Sequence, residues 1–393
     1  MNICFVTSEF VNPIGGGVER VTYNLYKALQ DHGHDVYIIS KEKPLKDLEM
    51  QNDKFVHLLN PDVYADENKI FVRNFITEHN IEYIVNNSHH QTMFDLLVSV
   101  KEKQSFKLIS VYHTDPNATV KGVRDFFDAD IAVKKNKLFL PYYLFRCVVR
   151  YYLRKQYQHK MFSHLYDKSD AIVLLSERFI PDYLKILGLK ESDKVFAISN
   201  PIIKEFVTNN VDKLFKGKNV IFVGRMEREA KRPDRMIHIW ERIEKQFPDW
   251  RLYMIGDGVL RTSLEAYCKR NNLNNVIFTG RVDPKPYYEK AEVLCATSTY
   301  EGFGLVLTEA MQYGTIPIAF DSYAAVHDII EDEYNGLLIR PFNIKEYAKR
   351  LSNLLDDNDK RIYIRKNIMS DTDNSRFDID VITSKWIRLF EKL

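Results

Sequence analysis

Apolar runs of strand length alternate with helix-length amphipathic segments along all of this 393-residue chain, and no other feature narrows its fold so far. In the first half the runs are Ile3 to Thr7, Val36 to Ile39, Tyr83 to Asn86, Leu108 to Val111, Ala171 to Leu174 and Val195 to Ile198. A polar, Lys-rich stretch near residues 200 to 218 interrupts the rhythm. It restarts with Val220 to Val223, Leu252 to Ile255, Val276 to Thr279, Val293 to Ala296, Ile316 to Ala319 and Leu337 to Ile339. This alternation is that of parallel sheets covered by crossover helices. The chain also exceeds the size that one core usually fills. Two doubly wound α/β domains are therefore expected, 1–200 and 201–375. From about Lys345 onward only helical patterns remain, and a helix near 376–393 is expected to pack back on the first domain.

Composition removes several function classes. With 45% hydrophobic, 13% aromatic and 28% charged residues, the chain resembles neither a disordered nor a collagen-like or coiled-coil protein. Lys plus Arg (56) nearly balance Asp plus Glu (54), which argues against a nucleic-acid-wrapping protein. Cys4, Cys147, Cys268 and Cys295 show no CxxC spacing, so zinc ribbons, thioredoxin chemistry and a disulfide framework drop out. The start MNICFVTSEF lacks a basic n-region, and no apolar stretch approaches membrane-spanning length. A cytoplasmic protein that does not span a membrane is expected.

In open α/β sheets ligands bind beyond the carboxyl ends of the strands, so the residues just after each run carry the chemistry. After the first run, Gly15, Gly16 and Gly17 precede a helix whose Val18, Val21, Leu25, Ala28 and Leu29 recur at helical spacing. Glycines there let a phosphate approach backbone N–H groups at the positive helix end, although a loop needing positive φ explains them as well. A dinucleotide fingerprint fails because Arg20 stands where its third glycine belongs, and no GK[ST] follows for a P-loop. In the second half, NVIFVGRMEREAKRPDRMIHIW sets Arg225 directly after a strand and Lys231 at the mouth of the next helix. An Arg fork and a Lys point charge supply the fixed positive charge that a diphosphate needs without a metal. A solvated charged loop is the alternative there.

The segment VLCATSTYEGFGLVLTEAMQYGTIPIAF is the most informative. Glu301 ends a post-strand loop, Gly302 and Gly304 allow close backbone approach, and Glu309 follows in the early turns of a helix. A loop carboxylate can face the reacting end of a ligand, while a helical one can accept hydrogen bonds from a ribose diol. Favourable placement at a helix N-terminus would explain Glu309 alone.

The E-x7-E spacing of Glu301 and Glu309, with GRMEREAKRPD, IGDG, FTGRV and the N-terminal GGGVER in the same order, resembles the large family 4 of retaining GT-B glycosyltransferases. The resemblance runs through nearly the whole chain. It implies two facing Rossmann-like domains with an interdomain cleft, and a sugar donor held mainly by the C-terminal one. On this resemblance Arg225 and Lys231 are the diphosphate cations, joined by Gly16 and Gly17. Glu309 is the ribose ligand, Val282 the backbone contact to the base, and Glu301 the residue beside the donor sugar. Gly302, Phe303, Gly304 and Leu305 line sugar and phosphate with their backbone. His113, in SVYHTDPN, matches the histidine that reaches the donor sugar, and Asp257 in IGDG is a pocket-shaping residue.

The family resemblance implies a UDP-sugar donor, a glycan acceptor, front-face displacement with retention, and no cofactor or metal. D-x-D spacings at Asp128 to Asp130, Asp371 to Asp373 and Asp378 to Asp380 follow no convincing strand. The stretch from Ile131 to Tyr166 has no acidic residue, and Arg146, Arg150 and Arg154 form a basic stripe among Tyr, Phe and Leu. Such a helix suits contact with an anionic membrane surface and hence a lipid-linked acceptor in surface polysaccharide synthesis; a core-packing helix with solvated arginines is the alternative. The competing functions are a GT-B epimerase or hydrolase that consumes donor alone, a silent sugar-nucleotide scaffold, and a dehydrogenase.

Overall fold

A computed structural model describes residues 1–12, 16–43, 53–88, 90–121, 140–203, 216–370 and 376–393. Gly15, the first two D-x-D spacings and part of the Lys-rich stretch lie outside the described residues. The chain forms two compact units, one from Met1–Pro116, Arg154–Ile203 and Asn374–Leu393, the other from Asn117–Leu153 and Lys204–Asp373.

The first unit holds β1 (Asn2–Thr7), β2 (Asp35–Ser40), β3 (Phe55–His57), β4 (Tyr83–Asn86), β5 (Lys107–Tyr112), β6 (Ala171–Leu174) and β7 (Val195–Ala197). They form one parallel sheet in the order β3-β2-β1-β4-β5-β6-β7. Its helices include α1 (Gly17–Asp31), α2 (Asp66–Glu78) and α3 (Gln91–Lys101), followed by α4 (Leu140–Lys168), which begins in the other unit's segment, and α5 (Ile180–Leu187). The apolar stripe read for α1 turns inward at Val21, Leu25, Ala28 and Leu29. Gly33, at φ +81°, ends that helix in the left-handed conformation that glycine adopts most readily.

The second unit repeats the plan. Strands β8 (Asn219–Val223), β9 (Arg251–Ile255), β10 (Val276–Gly280), β11 (Val293–Ala296), β12 (Ile316–Phe320) and β13 (Leu337–Ile339) lie parallel in the order β10-β9-β8-β11-β12-β13. Between and after them run α6 (Pro233–Trp240), α7 (Arg261–Arg270), α8 (Lys285–Lys290), α9 (Leu305–Gln312), α10 (Ile344–Asp356) and α11 (Asn358–Ser370). Every strand read from the sequence is present, with the α/β class and the parallel sheets. Among the described residues the one strand not anticipated is β3. It has three half-buried residues at a sheet edge, too short and too polar in its flanks to show as an apolar run.

The last helix, α12 (Ile379–Lys392), packs within the first unit. Its Phe390 ring lies 4.9 Å from that of Tyr83, whose hydroxyl donates to the Phe390 carbonyl at 2.9 Å. Just before it, the Ile202 N–H donates to Phe377 O at 2.7 Å. Asp378, from the third D-x-D spacing, caps this helix by accepting from the Asp380 N–H.

Candidate functional site

Both sheets reverse their strand order once, between β1 and β4 and between β8 and β11. At such a switch point neighbouring loops leave in opposite directions and open a crevice at the carboxyl ends. In the second unit β8 and β11 are paired, so the loops that follow them start side by side although far apart in sequence. Thr297 Oγ1 donates to the carbonyls of Lys231 and Arg232, and the Thr299 N–H donates to Ala230 O. Beneath them the buried Arg235 guanidinium donates to Thr297 O and Thr299 Oγ1, with its carbon 4.1 Å from the centroid of Phe342. This cation ties α6 to the loop after β11.

On that base Lys231 and Glu301 meet. The ammonium lies 2.7 Å from Glu301 Oε1, and Ser298 Oγ donates to the same oxygen at 2.6 Å. Both side chains are largely buried, at 19% and 16% exposure, so water screens the pair only partly. The Lys231 stem lies over Gly224, where a Cβ would come within 3.2 Å of it. Arg232, with φ +52°, turns the chain into α6. Its fork on Asp234 leaves that carboxyl below its usual pKa although burial pushes it up.

Gly304 caps α9 at φ +100°, and a Cβ there would stand 2.6 Å from the Tyr323 hydroxyl. Burial first, and then the Glu301 charge, keep the Tyr323 phenol protonated by raising its pKa well above the usual value. The Phe303 side chain is core, so at that position only backbone can meet a ligand. Leu305 opens α9, whose N-terminal amides face the same edge. Farther along α9, Glu309 accepts from Tyr288 of α8 at 2.9 Å, and the Tyr288 ring stacks on Tyr313.

The other residues singled out in this unit follow β8, β9 and β10. Arg225 is exposed and ion-paired with Glu227 at 3.1 Å. Val282 follows β10 and is 42% exposed. Asp257, after β9, accepts from Gly258 N–H and from Arg261, which together hold its carboxyl below the usual range.

In the first unit Gly16 is the exposed N-cap of α1 and Gly17 its first residue. A Cβ at Gly16 would run into the Glu19 carboxylate. His113 follows β5, with Nε2 3.2 Å from Asn87 Oδ1. Asn87 is buried and donates through Nδ2 to Thr22 Oγ1, whose own proton goes to Val18 O. That chain orients the Asn87 amide, places a proton on His113 Nε2, and makes Nδ1 the acceptor of the neutral ring.

Sequence reasoning missed Ser298, Tyr323, Tyr288, Arg235 and Asn87. Ser298 had a visible signal, the polar run directly after β11. The others are set by contacts that no local pattern encodes. Among the described residues no cluster of three His, Cys, Asp or Glu is placed to hold a metal ion, and no helix is long and apolar enough to cross a membrane. The first half of α4 nevertheless exposes Phe145 (66%), Tyr152 (60%) and Leu153 (60%) beside its arginines, with the Arg146 guanidinium 5.6 Å from the Tyr142 ring centroid.

Known proteins share this fold. The Glycosyltransferase Family 4 profile matches residues 15–206, and the profile described as Glycosyl transferases group 1 matches residues 205–370. An uncharacterized glycosyltransferase of Haemophilus influenzae is 27% identical over 387 residues, covering 96% of this chain and 97% of its own. A Campylobacter jejuni α-1,4-N-acetyl-D-galactosaminyltransferase, named for a GalNAc-GalNAc-diNAcBac-PP-undecaprenol acceptor, is 31% identical over 54% of this chain and 60% of its own. Anabaena HepE, solved with UDP and glucose, superposes with a TM-score of 0.75 at 17% identity, over all of both chains. With one family domain in each half and the GT-B fold, this chain belongs to the family 4 type of glycosyltransferases related to enzymes of cell-surface polysaccharide synthesis.

Proposed function

We propose that this enzyme moves a hexose from a UDP-sugar to a hydroxyl of a lipid-linked glycan, with retention and without a metal, in surface polysaccharide assembly. The observation that carries the reading is the Lys231–Glu301 pair at the switch point of the second sheet, beside the N-terminus of α9. A cation, a carboxylate and a helix N-terminus at one edge suit a ligand with an anionic diphosphate joined to a hydroxyl-rich sugar. Lys231 and Arg225 bind the diphosphate, Glu309 the ribose, the Val282 backbone the base, and Glu301 the sugar. Backbone from Gly302 to Leu305 lines sugar and phosphate. In the first unit, taken by itself, Gly16 and Gly17 are suited to a phosphate and His113 to a sugar hydroxyl. One relative named for a PP-undecaprenol-linked acceptor, and folds solved with UDP, support donor and acceptor class.

In the step itself the C1–O bond to the diphosphate breaks and the acceptor oxygen bonds to C1 on the same face. The acceptor proton passes to a diphosphate oxygen. The protein aligns the partners and stabilises the charge that builds on the leaving group. Calorimetric titration with UDP is expected to show binding that survives EDTA and collapses in Arg225→Ala. Binding only with divalent metal, or only to NAD, would overturn the donor assignment. Donor turnover at full rate without acceptor would reassign the chain to hydrolysis or epimerisation.

The exposed aromatic and aliphatic side chains of α4, set among Arg146, Arg150 and Arg154, favour docking on the anionic face of a membrane, where a lipid-linked acceptor would be presented. The protein is expected to sediment with phosphatidylglycerol vesicles and not with phosphatidylcholine vesicles. Equal sedimentation with both would remove the membrane contact.

A further inference from the structure

A cavity of about 680 Å³ opens in the first unit between β7, the start of α5 and α12. Its floor is apolar, with Val195, Ile198 and Leu389 at most 8% exposed. Its wall is one stripe of α12. Lys385, Arg388 and Lys392 stand three and four residues apart and share a face. The Lys392 ammonium sits 4.7 Å from the Phe196 ring centroid. Among the described residues of the lining, Glu177 is the sole acid.

A second observation concerns the strand itself. β7 ends the sheet order. The Ile172 N–H donates to Lys194 O, and the Ile198 N–H donates to Leu174 O. In a parallel ladder, residues 194, 196 and 198 then turn their peptide groups toward β6, and Val195 and Ala197 turn theirs outward, to the side where the cavity lies. Among the described residues no strand pairs with this edge, and an edge of this kind is a template for one more strand.

We propose that this edge takes an extended acidic segment of a partner protein as an added strand. The segment's backbone pairs with Val195 and Ala197, its apolar side chains fill the floor, and its carboxylates meet Lys385, Arg388 and Lys392. Three cations against one acid select an acidic partner. They disfavour a second copy of this chain, whose own β7 edge would bring the same cations face to face. This docking surface is independent of the sugar-transfer reading, because it uses no residue of the donor site.

The test is fluorescence anisotropy of the full chain with a labelled peptide of alternating Glu and Val, compared with one of alternating Lys and Val. The acidic peptide is expected to bind, and the basic one not. Affinity is expected to fall by about tenfold or more in the Lys385→Glu/Arg388→Glu variant, which reverses the charges that attract the peptide. A similar loss is expected in Ala197→Pro. That change removes an outward N–H and leaves the β6 ladder intact, so the melting temperature stays near wild type. Three outcomes would overturn the proposal: equal binding of both peptides, full affinity in Ala197→Pro, or loss of phosphatidylglycerol vesicle binding in the charge-reversed variant with no peptide bound.

Discussion

Glu301→Gln is expected to lower kcat by about 100- to 1000-fold, the usual effect of removing one electrostatic contact to a transition state. UDP affinity should change little. The amide is nearly isosteric, and its oxygen can still accept from Ser298 and Lys231 as the carboxylate does at 2.6 and 2.7 Å. Only the negative charge is lost, and in the proposed reaction that charge matters most when the sugar becomes cationic. The informative measurement is therefore the split between kcat and the donor KM under initial-rate conditions. A variant with wild-type kcat would take Glu301 out of the chemistry. One that raised only KM would make it a binding residue.

Lys231→Met is expected to act on binding and on stability together. It keeps most of the stem over Gly224 and removes the ammonium. Loss of a charge-assisted contact to the diphosphate should weaken UDP by roughly 10- to 150-fold, or about 1.5–3 kcal/mol. It also leaves Glu301, 16% exposed, without its cation. The urea midpoint should therefore fall by an amount equivalent to about 2 kcal/mol. Combining Lys231→Met with Glu301→Gln should recover much of that stability while UDP affinity stays low, because the uncompensated charge is gone but the diphosphate cation is still missing. If the double variant were as unstable as the sum of the singles, the pair would be a bystander contact.

Much of this site was legible in the chain because it follows strands. Arg225, Lys231 and Glu301 could be placed on the ligand edge of a sheet as soon as Val220 to Val223 and Val293 to Ala296 were read as strands. Arg225 shows how far such a reading carries. It follows β8 at the switch point, yet its guanidinium is exposed and turned to Glu227, two residues away. Asp378 illustrates the opposite case, a metal-like spacing that the fold uses for a helix cap.

What the sequence determined by itself is the α/β class, the parallel sheets and the residues that follow each strand at the candidate edge, because strand burial and helix amphipathicity leave periodic traces within a few residues. Only the tertiary structure decided which loops meet. Strand order is a long-range property, and placing β8 beside β11 brings Lys231 against Glu301 across 70 residues of chain. The contacts that fix the surrounding elements were invisible for the same reason. Arg235 under the two loops, Tyr323 against Gly304 and Tyr288 on Glu309 are contacts between elements, and no local period records them.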